Sequence, residues 1–334
     1  NNIKPKILIK LKIEEFKELK EIEAFAEKNI GANSLFALES SILKALAAEQ
    51  EKQLWEFLSR GKPKKLPYPV GNVVGGGLHG KGFKGKEPDF QEFLIIPKAK
   101  FFCDNVFLMK KAHEEIGKIL EMRKVKGKFN DENAWLTSLN NEEVLEILNK
   151  VSEELSNEAG CEIEIGVDIA ASSFFKNGFY VYKNKPQKLR KEQQINYITK
   201  LVENYNLFYI EDPLYEEDFI EFVVLRKKLT PIIVGDDLIV TNLLRLKKAV
   251  QNKSVNAVVI KPNQNGSLLK VKEICDFCQK KEIATVFSHR SGETLDNIIA
   301  DLAVAWKADF IKTGIFGKER EVKMDRIIEI EKRL

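Results

Sequence analysis

The chain has 334 residues, 44% of them hydrophobic, with Lys+Arg 54 against Asp+Glu 50 for a net charge of +4. That apolar content builds a core and argues against a disordered chain, while the charge is too mild and too interspersed to suggest a nucleic-acid partner. No run approaches the roughly 20 apolar residues of a membrane span, and the lysine-broken opening NNIKPKILIKLKI has no signal-type core, so a cytoplasmic protein without a membrane partner is expected.

Residues 14–28 read as a charged helix. A second helix follows Asn33 as its N-cap, with Leu35, Leu38, Ile42, Ala45 and Leu46 on one face, and runs to about Leu58, where Gly61 and Pro63 stop it. Pro67 and Pro69 mark a boundary, so residues 1–66 are expected to form a helical unit and residues 67–334 a second one. GNVVGGGLHGKGFKG places seven glycines within residues 71–85, which predicts a loop in place of a helix or a regular strand. It is not a Walker loop, because Gly80-Lys81 is followed by Gly82. Its reactive side chain is His79, either functional or incidental in a flexible loop. DFQEFLIIP predicts a strand with Gln91 and Glu92 at its start. A helix is expected near 104–122, then a turn holding Asp131 and Glu132. A helix over NEEVLEILNKVSEEL follows, with Val144, Leu148, Val151 and Leu155 buried.

Beyond residue 161 strands and helices alternate, which argues for a parallel sheet covered by helices. Asn177-Gly178 between aromatic runs is a hairpin signal inserted into this alternation. Six apolar runs each close on charge: IEIGVD at Asp168, LFYIED at Glu211, PIIVGDD at Asp236, AVVIK at Lys261, ATVFSHR at His289 and Arg290, and DFIK at Lys312. In a (β/α)8 barrel the C-terminal strand ends ring the active site. Cys275 and Cys278 form CDFC, but no second cysteine pair or nearby histidine completes a zinc site, so two thiols packed on one helix face are expected.

Asp168, Glu211 and Asp236 end three successive strands. One such acid is readily a helix cap or a salt bridge, but three in a row predict a divalent ion, and hard oxygen ligands suit Mg²⁺. Lys261 at the next strand end is a candidate base, because cations around it would lower its pKa. Its alternative is a structural partner for one of the acids. SHRSGE supplies an imidazole, a bidentate guanidinium and a hydroxyl for an anion. Alternatively, Ser291 with Glu293 opens the next helix, and both readings can hold, because a helix N-terminus favours an anion.

These residues resemble the enolase family (phosphopyruvate hydratase). GANSLFALESSILKALA, GGGLHG, FQEF, IGVDIAAS, YIEDPL, VGDDLIVTN, IKPNQNGS, SHRSGET and IKTG are similar to its motifs in the same order. The resemblance implies an α/β fold, an enolase-type (β/α)8 TIM-like barrel with a partial, mainly helical N-terminal domain. It implies reversible dehydration of 2-phosphoglycerate to phosphoenolpyruvate with Mg²⁺ held by Asp168, Glu211 and Asp236. Lys261 would remove the C2 proton and Glu132 would protonate the departing C3 hydroxyl, with Glu92 assisting. His79, Gln91, His289, Arg290, Ser291 and Lys312 would contact substrate, and a homodimer is expected. Two departures stand out. The family's Ser-Gly-Ala lid loop has no counterpart downstream of Asn1, so an N-terminally incomplete chain is expected. Its Gly-Asp-Glu-Gly-Gly segment reads Asn130-Asp131-Glu132-Asn133-Ala134, which keeps the acid without its glycine frame. A catalytically impaired binding or scaffold protein is the alternative, as is a relative abstracting a different proton beside a carboxylate. The joint presence of Lys261, Glu132, Arg290 and Lys312 weighs against the first, and SHRSGE favours a phosphate-bearing substrate over the second.

Overall fold

Residues 13–26, 29–59, 61–63, 65–80 and 86–334 are described by the computed structural model. Eight strands close into a barrel. The first, β1, is broken at Val70 into Tyr68–Pro69 and Gly71–Gly75, and its two pieces pair with opposite neighbours. The others are β2 (Glu92–Pro97), β3 (Ile163–Asp168), β4 (Tyr209–Glu211), β5 (Ile232–Gly235), β6 (Ala257–Ile260), β7 (Ala284–Ser288) and β8 (Phe310–Lys312). From β3 through β8 every neighbour is parallel, and β8 closes in parallel onto Tyr68–Pro69.

Strand β2 alone runs backwards, antiparallel to both β1 and β3, with Glu92 opposite Asp168. Gln91 and Glu92 lie at the start of their strand, so in an all-parallel barrel they would face the wrong end. Running antiparallel, the start of β2 joins the C-terminal ends of its neighbours.

The barrel interior is filled by Val70, Leu94, Ile96, Tyr209, Val234, Ala257, Val259, Val286 and Phe310. Side chains alternate along a strand, so the residue two places towards the rim shares the inward face. Tyr209 thus leads to Glu211, Val234 to Asp236, Val259 to Lys261, Phe310 to Lys312 and, on the reversed strand, Leu94 to Glu92. The apolar plug fixes strand register, since a one-residue slip would drive the rim charges outwards and the plug into the helix layer. Each large plug residue contributes about 1.5–3 kcal/mol by leaving water.

Helices cover the outside: Phe102–Met122, Asn141–Ala159, Lys191–Tyr205, Phe219–Lys228, Leu243–Asn252, Leu268–Lys280, Ile298–Ala305 and Lys318–Glu331. Val144, Leu148, Val151 and Leu155 are buried as predicted, and the Asn177-Gly178 hairpin forms with both residues at positive φ. Cys275 and Cys278 are both buried free thiols.

Several expectations are corrected. The glycine-rich stretch is partly a strand, though an irregular one: Gly71–Gly75 is wholly buried in β1 with a register shift between Asn72 and Val74, and Gly77–Gly80 makes a single 3-10 turn. The glycines serve close approach. A Cβ on Gly71 would lie 2.7 Å from the Met109 sulfur, and one on Gly75 would lie 2.4 Å from the Asn130 amide. Gly82 and Gly85 lie outside the described residues. Near the N-terminus, Leu19–Ala26 is helical, and positions 27–28 of the expected helix also lie outside the described residues. The second helix spans Ala32–Glu49, capped by Gly31, so Asn33 lies within its first turn. Its buried face is Leu35, Glu39, Ser40, Leu43, Leu46 and Ala47, leaving Ala45 exposed. It does not continue to Leu58. The chain breaks over 50–53, and Gln53 caps a separate short helix, Leu54–Leu58.

These helices share the barrel's outer core through Leu19, Ile22, Leu43 and Trp55. Glu39 accepts from the Leu268 N–H at 2.7 Å, and Asp301 accepts from Trp55 N–H at 3.2 Å while pairing with Arg326 at 2.7 Å. Each unit thus buries a carboxylate against the other's backbone, which welds the segment to the barrel.

Candidate active site

Eleven of the twelve predicted residues line one cleft at the mouth of the barrel: His79, Gln91, Glu92, Glu132, Asp168, Asp236, Lys261, His289, Arg290, Ser291 and Lys312. The twelfth, Glu211, is fully buried just beneath and accepts from the Tyr209 hydroxyl at 2.7 Å and from Lys312 at 2.9 Å. The cleft is small, about 60 Å³, and larger cavities occur elsewhere, one of about 750 Å³ beside Asn149, Cys161 and Glu203. The chemistry belongs to the small cleft, because it gathers the ionisable groups of several strand ends and loops.

On the acid side, the Lys312 ammonium lies 2.8 Å from Glu92, 3.2 Å from Asp168 and 2.9 Å from Glu211. Three carboxylates around one ammonium leave net negative charge in a dry place. Burial and the neighbouring Asp168 therefore push the Glu211 carboxyl well above its ordinary range, with Asp236 adding to it. Burial pulls Lys312 down, but Asp168, Glu211 and Glu92 outweigh it and hold the ammonium charged. A divalent ion would relieve this surplus, and the donor set is all oxygen, so the residues fit one. Asp212 and Asp237 add to the surplus, since their carboxylate oxygens lie within 4.8 Å of Asp236. Asp212 is fixed by accepting the backbone N–H groups of Asp236 at 3.0 Å and Asp237 at 2.5 Å.

Lys261 ion-pairs with Asp236. Burial lowers its pKa, but Asp236 and Glu211 prevail and raise it. In this arrangement its nearest charge is an acid, as in the alternative of a structural partner; the lowered value is the expectation for the ion-bound site. The Lys261 backbone N–H donates to the Thr241 hydroxyl at 2.9 Å. Val240 and Thr241 both have positive φ, rare for β-branched residues and costing about 1–3 kcal/mol each. That strain seats Thr241 beneath the lysine.

Glu132 sits in a turn beside His79 (3.9 Å) and His289 (3.4 Å). Burial and the adjacent Glu92 push its carboxyl up to about 7. Its frame is held without the glycines: the Asn130 side chain accepts the N–H groups of Glu132 and Ala134 at 2.9 Å each, and Asn133 takes the left-handed conformation at φ 60. Asparagine tolerates that region better than most residues. Glu92 stands 3.2 Å from His79 Nδ1. Burial would lift Glu92, but Lys312 and His79 hold it well below the usual range. In turn, burial lowers His79, yet Glu92, Glu132 and Asp168 raise it to about 9. His79, Glu92 and Glu132 also converge within 4.8 Å, but a protonated His79 and the Lys312 ammonium already compensate Glu92.

On the anion side, Arg290 and Ser291 are exposed at the rim, while Ser288 and His289 are buried. The next helix starts only at Ile298, with Asn297 as its cap, so Ser291 does not open it. Glu293 instead accepts from the Arg290 N–H at 3.2 Å. Arg320, Lys323, Asp212 and Thr241 do not line the cleft but hold residues at or beside it, and none was expected from sequence. Arg320 and Lys323 sit on an amphipathic helix otherwise rich in charge, where nothing in the spacing separates two buried cations from solvated ones. EDP and GDDL, two acids closing adjacent strands, were the available signal for Asp212.

Residues 63–334 match the family model described as "Enolase, C-terminal TIM barrel domain". Over 303 residues the chain is 38% identical to the enolase of Archaeoglobus fulgidus, covering 90% of this chain and 74% of that one. It is 40% identical over 308 residues to the enolase of Methanocorpusculum labreanum, covering 90% and 76%. It is 39% identical over 324 residues to that of Methanosphaera stadtmanae, covering 95% and 78%.

Proposed function

The chain belongs to the enolase family, and from that premise we propose how its own residues carry the family's reaction. The activity is that of a phosphopyruvate hydratase, a lyase of glycolysis that interconverts 2-phosphoglycerate and phosphoenolpyruvate. Mg²⁺ is the ion we propose for Asp168, Glu211 and Asp236, on the strength of their oxygen donors and unbalanced charge. There it would supply positive charge against the substrate carboxylate, and Asp236, as one of its ligands, would no longer serve as the counter-ion of Lys261.

Lys261 removes the C2 proton, and Lys312 faces the carboxylate on which charge builds. Arg290 grips the phosphate with a planar fork, aided by Ser291. Glu132 gives its proton to the departing C3 hydroxyl, which leaves as water. Glu92, kept anionic by Lys312 and His79, keeps the Glu132 proton in place by repulsion. Gln91 donates to Asp168 at 3.2 Å and orients that ligand. The observation that carries this reading is a single cleft that gathers the buried Glu132 carboxyl, Lys261, Lys312 and the strand-end acids Asp168 and Asp236. We further propose that residues 1–66 are a partial helical N-terminal unit on a 67–334 catalytic barrel, and that the protein acts as a cytoplasmic homodimer.

The test is formation of ultraviolet-absorbing phosphoenolpyruvate from 2-phosphoglycerate with added Mg²⁺. Lys261→Ala should lower kcat by about 10²–10⁴-fold and stop isotope exchange at C2. Undiminished exchange in that variant would remove Lys261 from the base role, and no turnover by a full-length form would defeat the reading as a whole.

A further inference from the structure

Arg320 lies at the start of the helix Lys318–Glu331, is 3% exposed, and reaches back under the anion-side loop. Its guanidinium donates to the carbonyl oxygens of Arg290 at 2.9 Å and Ser291 at 2.7 Å. It also meets the ring nitrogen Nδ1 of His289 at 2.6 Å. Guanidinium has donors and no acceptor. The Nδ1 atom must therefore offer its lone pair, and a neutral ring then carries its hydrogen on Nε2. That second nitrogen is the one 3.4 Å from Glu132.

The consequence concerns the proton of Glu132. A histidine with a bare Nε2 beside a protonated carboxyl would take that proton and become imidazolium. Here neither nitrogen can accept it. Nε2 already holds hydrogen, and Nδ1 is engaged by a cation. The groups charging the space around His289 are Arg320, Glu92, Lys312 and Lys261, together with Glu132 itself. Burial and Arg320 both push the imidazole well below its ordinary pKa, in keeping with a neutral ring.

We propose that Arg320 is a positioning residue that sets the Nε2–H tautomer of His289, so that the ring presents a donor to Glu132 and leaves the catalytic proton on the acid. The same guanidinium ties that choice to the carbonyls that shape the Arg290–Ser291 phosphate grip. This rests on the acid role of Glu132 proposed above, but its first readout does not depend on turnover.

The sequence contains three histidines, which makes a nitrogen spectrum of ¹⁵N-histidine-labelled full-length chain assignable with His289→Gln as reference. In the parent protein, His289 is expected as the neutral Nε2–H form from about pH 6 to about pH 8, the range in which free imidazole titrates. In Arg320→Met the ring should lose that single tautomer. The fall in kcat should be about 10-fold to 100-fold, beyond any rise in KM, as expected when a buried partner is removed. Arg320→Lys, which keeps a charged donor, should recover part of both. A parent His289 protonated on Nδ1 overturns the proposal without any variant needing to fold. So does an Arg320→Met enzyme that keeps the tautomer, or one that loses it at unchanged kcat. A parent chain that shows the tautomer but makes no phosphoenolpyruvate would defeat the functional reading and leave the structural half standing.

Discussion

The two halves of the rim are built in opposite ways. On the acid half, Asp168, Glu211 and Asp236 sit at strand ends, buried, with side chains directed by the same alternation that fills the barrel below. On the anion half, Arg290 and Ser291 stand exposed on a loop held from behind by two buried cations, Arg320 and Lys323. Pre-set charge that must not move belongs on strands. The grip proposed for a phosphate, which would have to admit and release it, suits a loop with firm backing. Damage to the acid half should therefore strike the chemical step, and damage to Arg290 and Ser291 should strike binding, whereas Arg320 also reaches His289 beside Glu132 and so bears on the chemical step.

Removal of the divalent ion should have the largest effect. Chelation should abolish turnover, and Mg²⁺ added to the chelated chain should raise Tm by stabilising the folded form about 2.7 kcal/mol at a hundredfold excess over Kd. Asp236→Asn should lose most of that shift. An unchanged Tm on adding Mg²⁺ would mean the surplus carboxylates are balanced some other way.

Glu132→Gln comes next. It should lower kcat for dehydration by about 10²–10⁴-fold while isotope exchange at C2 persists, because base and acid act at different carbons. The parent rate of dehydration should fall as pH rises through about 7, where Glu132 loses the proton it must donate. The sign for stability runs the same way. A carboxyl raised to about 7 in the fold, from 4.5 outside it, favours the folded state fully below 4.5 and loses that contribution as pH climbs through 7. A dehydration rate that instead rose through pH 7 would reassign the acid. Arg290→Lys should act on the other half, raising KM for 2-phosphoglycerate about 10-fold with kcat nearly kept, since a point charge replaces a fork. A fall in kcat alone would break the division between the halves.

The same division decides how much of the site is legible in the sequence. Strand-end acids declare themselves, because a buried apolar run stops on charge chiefly where that end faces a site. Asp168, Glu211, Asp236, Lys261 and Lys312 are all legible for that reason. The reversal of β2 is not, since DFQEFLIIP carries no mark of direction, yet Glu92 reaches the rim only through it. The strand inside the glycine-rich stretch is hidden because composition shows freedom, whereas Gly71 and Gly75 are there for contact with Met109 and Asn130. Which acid Lys261 pairs with is not legible, because spacing along the chain cannot tell which neighbour an amine will reach first. Arg320 and Lys323 are invisible for a related reason, as burial of a helical cation depends on what packs against it.

Lys323 offers the finest test of the contrast. It is 1% exposed and donates to the carbonyls of Thr294 at 2.6 Å and Glu319 at 2.7 Å, with Glu293 at 3.0 Å. Glu293 in turn accepts from the Arg290 N–H. Lys323→Met keeps the buried stem but strands those acceptors, which should cost about 1–3 kcal/mol of stability by chemical denaturation. Its effect on catalysis should be a KM increase of about threefold or less, because the Lys323 ammonium reaches the phosphate grip only through Glu293 and Arg320 still holds the Arg290 and Ser291 carbonyls. The two halves are separable only if kcat stays put while stability and KM move. A kcat that fell with them would mean that the loop and the acid cluster respond as one unit.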